Sequence, residues 1–215
     1  MPELIHETVI TTVSSAGMVH VAPMGVRYAD DTVVLMPFRP STTLANIEAS
    51  GRAVLNLITD VRVFAGCVTG RRQWPTVALA ALPGDTTAGA AAHADQRLAC
   101  ALGHEQLRLV AHSQDAQRPV LRLKRAAAAQ HAYFPGMNRA QAAVVEGAVL
   151  VSRLFMLPRE KLEAEWLWLQ IAIDKTAGPA ELEAWGWLDA ALRAHLAGLD
   201  APPAEHTATT TPPRA

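Results

Sequence analysis

The first third of the chain shows the alternation of apolar and polar side chains that is typical of β-strands. Three such stretches, at 5–13, 18–28 and 32–38, are separated by turn-forming residues at 14–17 and 29–31. Connections this short join antiparallel neighbours, because parallel strands need a longer crossover. The pattern therefore predicts three antiparallel strands joined by hairpins.

A short helix and two more strands are predicted next. Residues 42–50 are typical of a helix that ends before Gly51, and residues 52–58 (RAVLNLI) are typical of a buried strand. We interpret residues 61–70 (VRVFAGCVTG) as a further strand. This order of elements lacks the alternation of strand and helix that builds parallel sheets. We therefore expect an antiparallel sheet.

The middle of the chain has a weaker pattern. Residues 76–82 fit a strand, whereas the alanine-rich residues 86–103 fit either a helix or a surface insertion. Residues 105–113 and 118–126 again alternate apolar with polar side chains, which predicts a closing pair of β-strands.

Beyond Pro135 the apolar spacing becomes helical. Residues 138–156 begin with an asparagine cap and are apolar all round, so we expect a buried helix. Two more helices, at 158–175 and 179–199, each begin with proline and have glutamate in the first turn. The last residues are rich in proline, threonine and alanine, which is typical of disorder. The predicted organisation is a β domain, a helical domain and a disordered tail at 1–134, 135–200 and 201–215.

Composition and charge limit the classes of function. The chain has 215 residues, of which 50% are hydrophobic and 18% are charged, as expected for a globular protein with a core. Its net charge of −1 gives no indication of a nucleic-acid partner. The most apolar stretch, residues 142–151, contains Glu146 and is too short to span a membrane. Neither Cys67 nor Cys100 belongs to a C-x-x-C pair, and no secretory signal precedes them, so we expect a cytoplasmic protein.

Common catalytic motifs are missing from the sequence. It contains no P-loop, no G-x-G-x-x-G fingerprint and no G-x-S-x-G elbow. The eight histidines have no H-x-x-x-H spacing, so no metal site is predicted.

The stretch RPSTTLANI at 39–47 is the first candidate binding site. Helix N-termini carry partial positive charge, which the two later helices offset with early glutamates. The helix at 42 has no acid in its first turn, and the stretch instead supplies groups that can donate hydrogen bonds: Arg39, Ser41, Thr42, Thr43 and Asn46. Such a cluster favours a bound phosphate. The alternative is that Ser41 or Thr42 only caps the helix and that Arg39 is solvated.

The residues around this stretch resemble the FMN-binding split-barrel superfamily, which includes flavin reductases and pyridoxamine-phosphate-oxidase-like proteins. The resemblance lies in a pattern R-x-S-x-T-x-x-N-I followed by G-x-A-V-L-N, here Arg39, Ser41, Thr43, Asn46, Ile47, Gly51, Ala53, Val54, Leu55 and Asn56. Four segments together resemble one uncharacterised family of these proteins, which occurs in archaea and in bacteria that use tetrahydromethanopterin. They are residues 5–12, 20–27, 39–47 and 138–154.

This resemblance implies a mainly β protein with added α-helices. Its expected fold is an antiparallel, Greek-key split β-barrel with a C-terminal helical segment, and it is expected to bind FMN as a homodimer. The FMN phosphate would be held by Arg39, Ser41, Thr42, Thr43 and Asn46. The isoalloxazine ring would lie along Ala22, Pro23, Met24 and Gly25, where Gly25 permits close approach and Pro23 should make the strand irregular. The alternative for this segment is an edge-strand bulge without a ligand.

The reaction is not implied by the family. A flavin-dependent oxidoreductase acting on a small molecule, with a pterin intermediate as one substrate, is the first hypothesis. A non-catalytic FMN-binding or assembly protein of the same pathway is the second, because no acid or base is apparent beside the predicted flavin. A split barrel that binds haem or a nucleotide is the third. Asn138 and Arg139 are interpreted as a cap and a surface cation, and the paired tryptophans at 166–168 and 185–187 as helix packing.

Overall fold

The computed structural model describes residues 4–85, 93–113 and 118–200, without the side chain of Asp200. The predicted tail at 201–215 and part of the alanine-rich segment lie outside these residues. The elements follow one another as β1 (His6–Val13), β2 (Val19–Ala29), β3 (Thr32–Leu35), α1 (Thr42–Ser50), β4 (Arg52–Leu57), α2 (Arg62–Val68), β5 (Thr76–Ala78), β6 (Gln96–Leu98), β7 (Gly103–His112), β8 (Leu121–Gln130), α3 (Arg139–Val151), α4 (Arg159–Thr176) and α5 (Pro179–Asp200).

Six antiparallel strands form a closed barrel in the order β1-β2-β3-β8-β7-β4. The β1–β2 hairpin pairs His6 with Val26 and continues without a break to Val13 and Val19. The barrel closes where β4 pairs with both β1 and β7. The antiparallel arrangement and the closing β7–β8 pair predicted from the sequence are confirmed.

Two hydrophobic clusters lie on the two sides of the barrel wall. The inner cluster fills the barrel and includes Ile10 and Val26, and α1 contributes Leu44 and Ile47 to it. The outer cluster joins Val9 and Val21 to helices α2 to α5. Neighbouring residues of one strand thus serve different cores, because side chains alternate across a sheet.

The C-terminal helices pack against one another through aromatic side chains. Trp166 of α4 and Trp185 of α5 are buried and stacked, with ring centroids 4.1 Å apart. The Trp185 indole N–H donates to the Gln170 side-chain oxygen at 2.8 Å. Gly147 of α3 lies against these rings, where an added Cβ would come 2.8 Å from Trp185 Cζ3. Trp166 and Trp185 therefore pack the helices together as expected, whereas Trp168 is 76% exposed.

Helix α3 is shorter and less uniformly buried than the sequence indicates. It ends at Val151 and is followed by a 3₁₀ turn, Leu154–Met156. Asn138 caps it, accepting from the N–H groups of Ala140 and Gln141. Its buried face contacts α2, α4 and α5 of the same chain. Among the described residues, no helix is apolar and long enough to cross a membrane.

The prediction of a strand at 61–70 is wrong, because this segment contains helix α2. Val61, Phe64, Ala65 and Val68 recur with helical spacing, and all four pack into the outer cluster. An added Cβ on Gly66 would lie 2.4 Å from Trp74 Cζ2, so the glycine makes room for this indole ring.

The alternatives for the alanine-rich segment are partly decided. Residues 86–92 lie outside the described residues, but Gln96–Leu98 is strand β6, which pairs with the short β5 (Thr76–Ala78). The helix alternative is therefore wrong for 96–98. Leu98 is fully buried, and its N–H donates to the side-chain oxygen of Asn56 at 2.7 Å.

A buried ion-pair network fixes this region to the barrel. Arg108 donates to Asp95 at 2.9 Å and to Asp85 at 2.7 Å. Arg52 lies 3.4 Å from Asp95 and 3.8 Å from Asp85. Two cations and two anions therefore compensate one another, and the Arg108 side chain beside Asp85 lowers the pKa of that carboxyl group.

Candidate functional site

The N-terminus of α1 has backbone donors that nothing in the described chain uses. The Ser41 side chain accepts from the Leu44 N–H at 3.3 Å, and the Ser41 carbonyl accepts from the Ala45 N–H at 3.0 Å. Within residues 4–85, 93–113 and 118–200, no acceptor faces the N–H groups of Thr42 and Thr43. The first turn contains no acid. This helix end therefore keeps its partial positive charge.

The predicted phosphate residues divide into exposed and buried positions. The Thr42 side chain is exposed, whereas Thr43 is 1% exposed and Asn46 is also buried. Asn46 donates its amide to Thr12 Oγ1 at 2.9 Å, which ties α1 to β1. Ser41 acts as the helix cap, as the alternative interpretation proposed. Of the predicted phosphate residues that belong to the helix, only Thr42 thus has an exposed side chain.

Arg39 lies beside the same helix. Its guanidinium group pairs with Glu48 at 2.9 Å, and each side chain is about one-third exposed. Glu48 also lies 3.5 Å from His112 Nε2. Arg39 is therefore held near α1 by an ion pair rather than being only solvated.

Two further arginines that local sequence patterns did not indicate surround the β3–α1 connection. Arg27 of β2 donates to the Met36 sulfur at 2.9 Å. Arg118 donates to the Met36 carbonyl at 3.3 Å, and its guanidinium carbon is 4.7 Å from the Phe38 ring centroid. Arg27 follows Gly25 by two residues, so the β2–β3 hairpin alone would place it near Met36. Arg118 comes from a distant part of the chain, and no local signal predicts it.

The segment Ala22–Gly25 is part of an unbroken strand. Pro23 pairs with Val9 and Gly25 with Glu7 in the regular β1–β2 register, so the expected irregularity is wrong. In the described chain, only residues 26–29 of β2 also pair with β3. The stretch containing Pro23 thus pairs on one side, where the missing N–H of proline is tolerated.

Side chains along this segment face alternately into and out of the barrel. Met24 packs against the inner cluster, and its carbonyl accepts from Thr8 Oγ1 at 2.9 Å. On the other face, an added Cβ on Gly25 would lie 2.8 Å from Ile5 Cγ2 and 3.6 Å from Glu7 Oε1. Gly25 therefore permits the close approach of Ile5.

A cavity of about 840 Å³ opens at the end of the barrel next to this segment. None of the residues predicted for the phosphate or ring site lines it. It reaches the segment through Glu7, the pairing partner of Gly25. Its walls are largely apolar and include Leu57, Ile58, Leu102 and Phe134. The cavity can therefore hold a small, mostly apolar molecule.

Two histidine side chains contact each other beside this cavity. His104, a lining residue, has its Nδ1 atom 2.7 Å from Nε2 of His131, and the rings are stacked with centroids 5.0 Å apart. Burial lowers the pKa of His104, and the nearby His131 and Arg97 lower it further. Burial and Arg97 also lower the pKa of His131. Both rings are therefore neutral at neutral pH, with one donating to the other. No pattern in the sequence indicates this pair.

Comparison with known families classifies the chain. Two family models match it, the N-terminal domain of DUF447, a protein family of unknown function, over residues 6–132 and a second DUF447 model over residues 138–190. The chain belongs to the DUF447 family. The family resemblance stated from the sequence is thereby confirmed. No match was found among curated proteins.

A solved structure of another DUF447 protein supports the same fold. The crystal structure of an FMN-bound DUF447 protein from Methanosarcina mazei matches with a TM-score of 0.73 and 19% identity, covering 89% of this chain and 96% of that one. The split-barrel fold expected for this DUF447 chain is therefore confirmed. A 2-nitrobenzoate 2-nitroreductase from Pseudomonas fluorescens matches with a TM-score of 0.46 and 16% identity over 61% of this chain and 66% of that one. An FMN-binding protein from Thermus thermophilus matches with a TM-score of 0.47 and 11% identity, covering 61% of this chain and 74% of that one.

Proposed function

We propose that this DUF447 protein is an FMN-binding flavoprotein and a flavin-dependent oxidoreductase of a small molecule. The observation that carries the proposal is the acid-free start of α1, with its unused Thr42 and Thr43 N–H groups, in a fold shared with an FMN-bound protein. A phosphate is the kind of ligand that such a helix end takes. Bound FMN would supply hydride or single-electron transfer.

The residues that would hold FMN follow from their positions. Thr42 and the backbone of Thr43 would donate to the phosphate, with Arg39 alongside and Ser41 keeping the helix capped. Asn46 would act indirectly, because its bond to Thr12 positions α1. The ring would lie along Ala22, Pro23, Met24 and Gly25. Ile5, which lies over Gly25, would have to move aside.

The cavity beside Gly25 would take the substrate. Its apolar walls favour an organic molecule with few charges, and the neutral His104–His131 pair can hold or transfer a proton there. A pterin intermediate is one substrate to test, on the family resemblance alone. We also propose a cytoplasmic homodimer.

A non-catalytic FMN-binding protein is the second candidate. It is favoured by the segment Ala22–Gly25 itself, which has no titratable side chain. The two candidates differ in whether bound flavin turns over.

Flavin uptake and reduction test the proposal in two steps. The purified chain is incubated with FMN or riboflavin and desalted, and the flavin retained is measured by absorbance and by fluorescence quenching. We expect FMN to bind much more tightly than riboflavin, and equal affinities would contradict a phosphate site. Bound FMN is then mixed anaerobically with NADH or NADPH. Bleaching of the flavin band supports an oxidoreductase, whereas an unchanged band with both donors supports the non-catalytic candidate.

A further inference from the structure

Helix α4 has two apolar faces, of which only one is covered. Leu162, Trp166 and Ile173 are buried in the outer cluster. On the opposite side, four residues recur with the spacing of a single helix face, and we name them the outer stripe: Ala164, Leu167, Trp168 and Ile171. Leu167 is 69% exposed and Trp168 is 76% exposed. A contiguous apolar face of this kind is typical of an interaction surface.

The segments outside the described residues lack the large apolar side chains that would cover the outer stripe. The segments outside the described residues are 1–3, 86–92, 114–117 and 201–215, with the sequences MPE, TTAGAAA, QDAQ and APPAEHTATTTPPRA. Apart from Met1, they contain no large apolar side chain. The complementary apolar surface is therefore not supplied by these segments.

The outer stripe is continued at its two ends by opposite charges. Glu160 lies in the first turn of α4 and Lys175 in the last turn, both on the same side as the stripe. Within residues 4–85, 93–113 and 118–200, neither makes an ion pair. The pattern is symmetric about the midpoint between Leu167 and Trp168. Ala164 and Ile171 are equally far from this midpoint, and so are Glu160 and Lys175.

This symmetry indicates what covers the stripe. When two such helices pack antiparallel, each Glu160 comes opposite the Lys175 of the other copy, and each Ile171 comes opposite the small Ala164. Parallel packing would instead bring like charges together at both ends. A two-fold axis is also the commonest symmetry of soluble homo-oligomers.

We propose that the outer stripe of α4 is the contact between two copies of this chain, packed antiparallel about a two-fold axis between Leu167 and Trp168. Trp168 and Leu167 form its apolar centre, and Glu160 and Lys175 form its charged rim. The contact gives the proposed homodimer a defined surface. It does not depend on FMN binding, so either proposal can fail without the other.

The apolar centre is tested by placing a charge in it. Light scattering over a dilution series should give twice the 23.0 kDa chain mass for the wild type at micromolar concentration. Leu167→Glu should raise the dimer Kd about a hundredfold or more, as for other interface hot spots. The matched control is Met18→Glu, because Met18 is also 69% exposed but lies in the β1–β2 turn. Circular dichroism checks that both variants fold.

The antiparallel arrangement is tested by a charge exchange. Glu160→Lys alone, or Lys175→Glu alone, brings like charges together and should raise the dimer Kd roughly three- to tenfold at low salt. The double variant restores opposite charges across the two-fold axis and should return the Kd to the wild-type value. A single mutation weakens both of the Glu160–Lys175 contacts, because the two-fold axis repeats the change in the second copy.

Three results would overturn this proposal. A monomeric wild type would mean that the stripe contacts something other than a second copy. A dimer whose Kd is unchanged by Leu167→Glu would place the contact elsewhere. Single charge variants that weaken the dimer, followed by a double variant that weakens it further, would exclude antiparallel packing.

Discussion

A carboxylate at the start of α1 separates phosphate binding from simple helix capping. In Thr42→Glu, the new side chain lies at an exposed position of a first turn that has no acid. Interaction with the helix dipole should stabilise the apo-protein by about 0.3–1 kcal/mol. The same charge would occupy the place proposed for the FMN phosphate. Each hydrogen bond to a charged group contributes about 1.5–3 kcal/mol, and two backbone donors are affected. FMN affinity should therefore fall about a hundredfold or more.

The matched control adds the same charge to the other end of the same helix. Ala49 is exposed in the last turn of α1, so Ala49→Glu should destabilise the apo-protein by about 0.3–1 kcal/mol. It should leave FMN affinity unchanged. Thr43 is unsuitable for this comparison, because it is 1% exposed and a glutamate there would be buried.

Two measurements on each variant complete the experiment. Urea unfolding of the apo-protein gives the stability change, and FMN titration monitored by fluorescence quenching gives the Kd. Stability and affinity should change in opposite directions in Thr42→Glu. If that variant binds FMN as tightly as the wild type, the phosphate does not lie at α1 and the site proposed here is wrong.

Three other predictions concern stability. Asp95→Asn leaves the buried Arg52 with a weaker partner and should cost about 3 kcal/mol in urea unfolding, far more than Asp31→Asn at an exposed pair. Gly147→Ala should lower the free energy of unfolding by about 1–3 kcal/mol, because the added methyl group crowds Trp185. The control Gly186→Ala adds a methyl group in open space on α5 and should be neutral or stabilising. Equal effects of the two substitutions would refute the crowding. Because His104 and His131 have lowered pKa values when folded, the unfolded chain binds more protons below about pH 6.5. The contribution of this pair to stability should be fully present above that pH and should be lost as the pH falls below it, and the loss should be smaller in His131→Gln.

The barrel could be predicted because its strands carry a local signal. Alternation along β1 and β2 reflects the two cores, since Val9 and Ile10 face opposite sides of one wall. Helix α2 was missed because a short apolar run fits both periods, and its packing into the outer cluster and against Trp74 shows that the helical period applies. Strand β6 was missed because Leu98 is held by Asn56, a contact between residues far apart in the sequence.

The candidate site could be predicted only where its features lie within a few neighbouring residues of the sequence. The missing acid at α1 is visible in the sequence, and so is the glycine that Ile5 approaches. The burial of Thr43 and Asn46 depends on how α1 sits on β1, which the sequence does not show. His104 lies on β7, His131 directly follows β8, and Arg118 lies just before β8. Strand pairing rather than sequence spacing places these residues, so no spacing rule could have found them.

The stacked pair of Trp166 and Trp185 gives the helical part of the molecule an optical signal of its own. Two indole rings 4.1 Å apart at a fixed angle are coupled chromophores, and such coupling produces a circular dichroism couplet that neither ring has alone. The couplet disappears as soon as α4 and α5 separate, even if both remain helical. Following it beside flavin fluorescence during unfolding would therefore show whether the helices leave the barrel before the barrel opens.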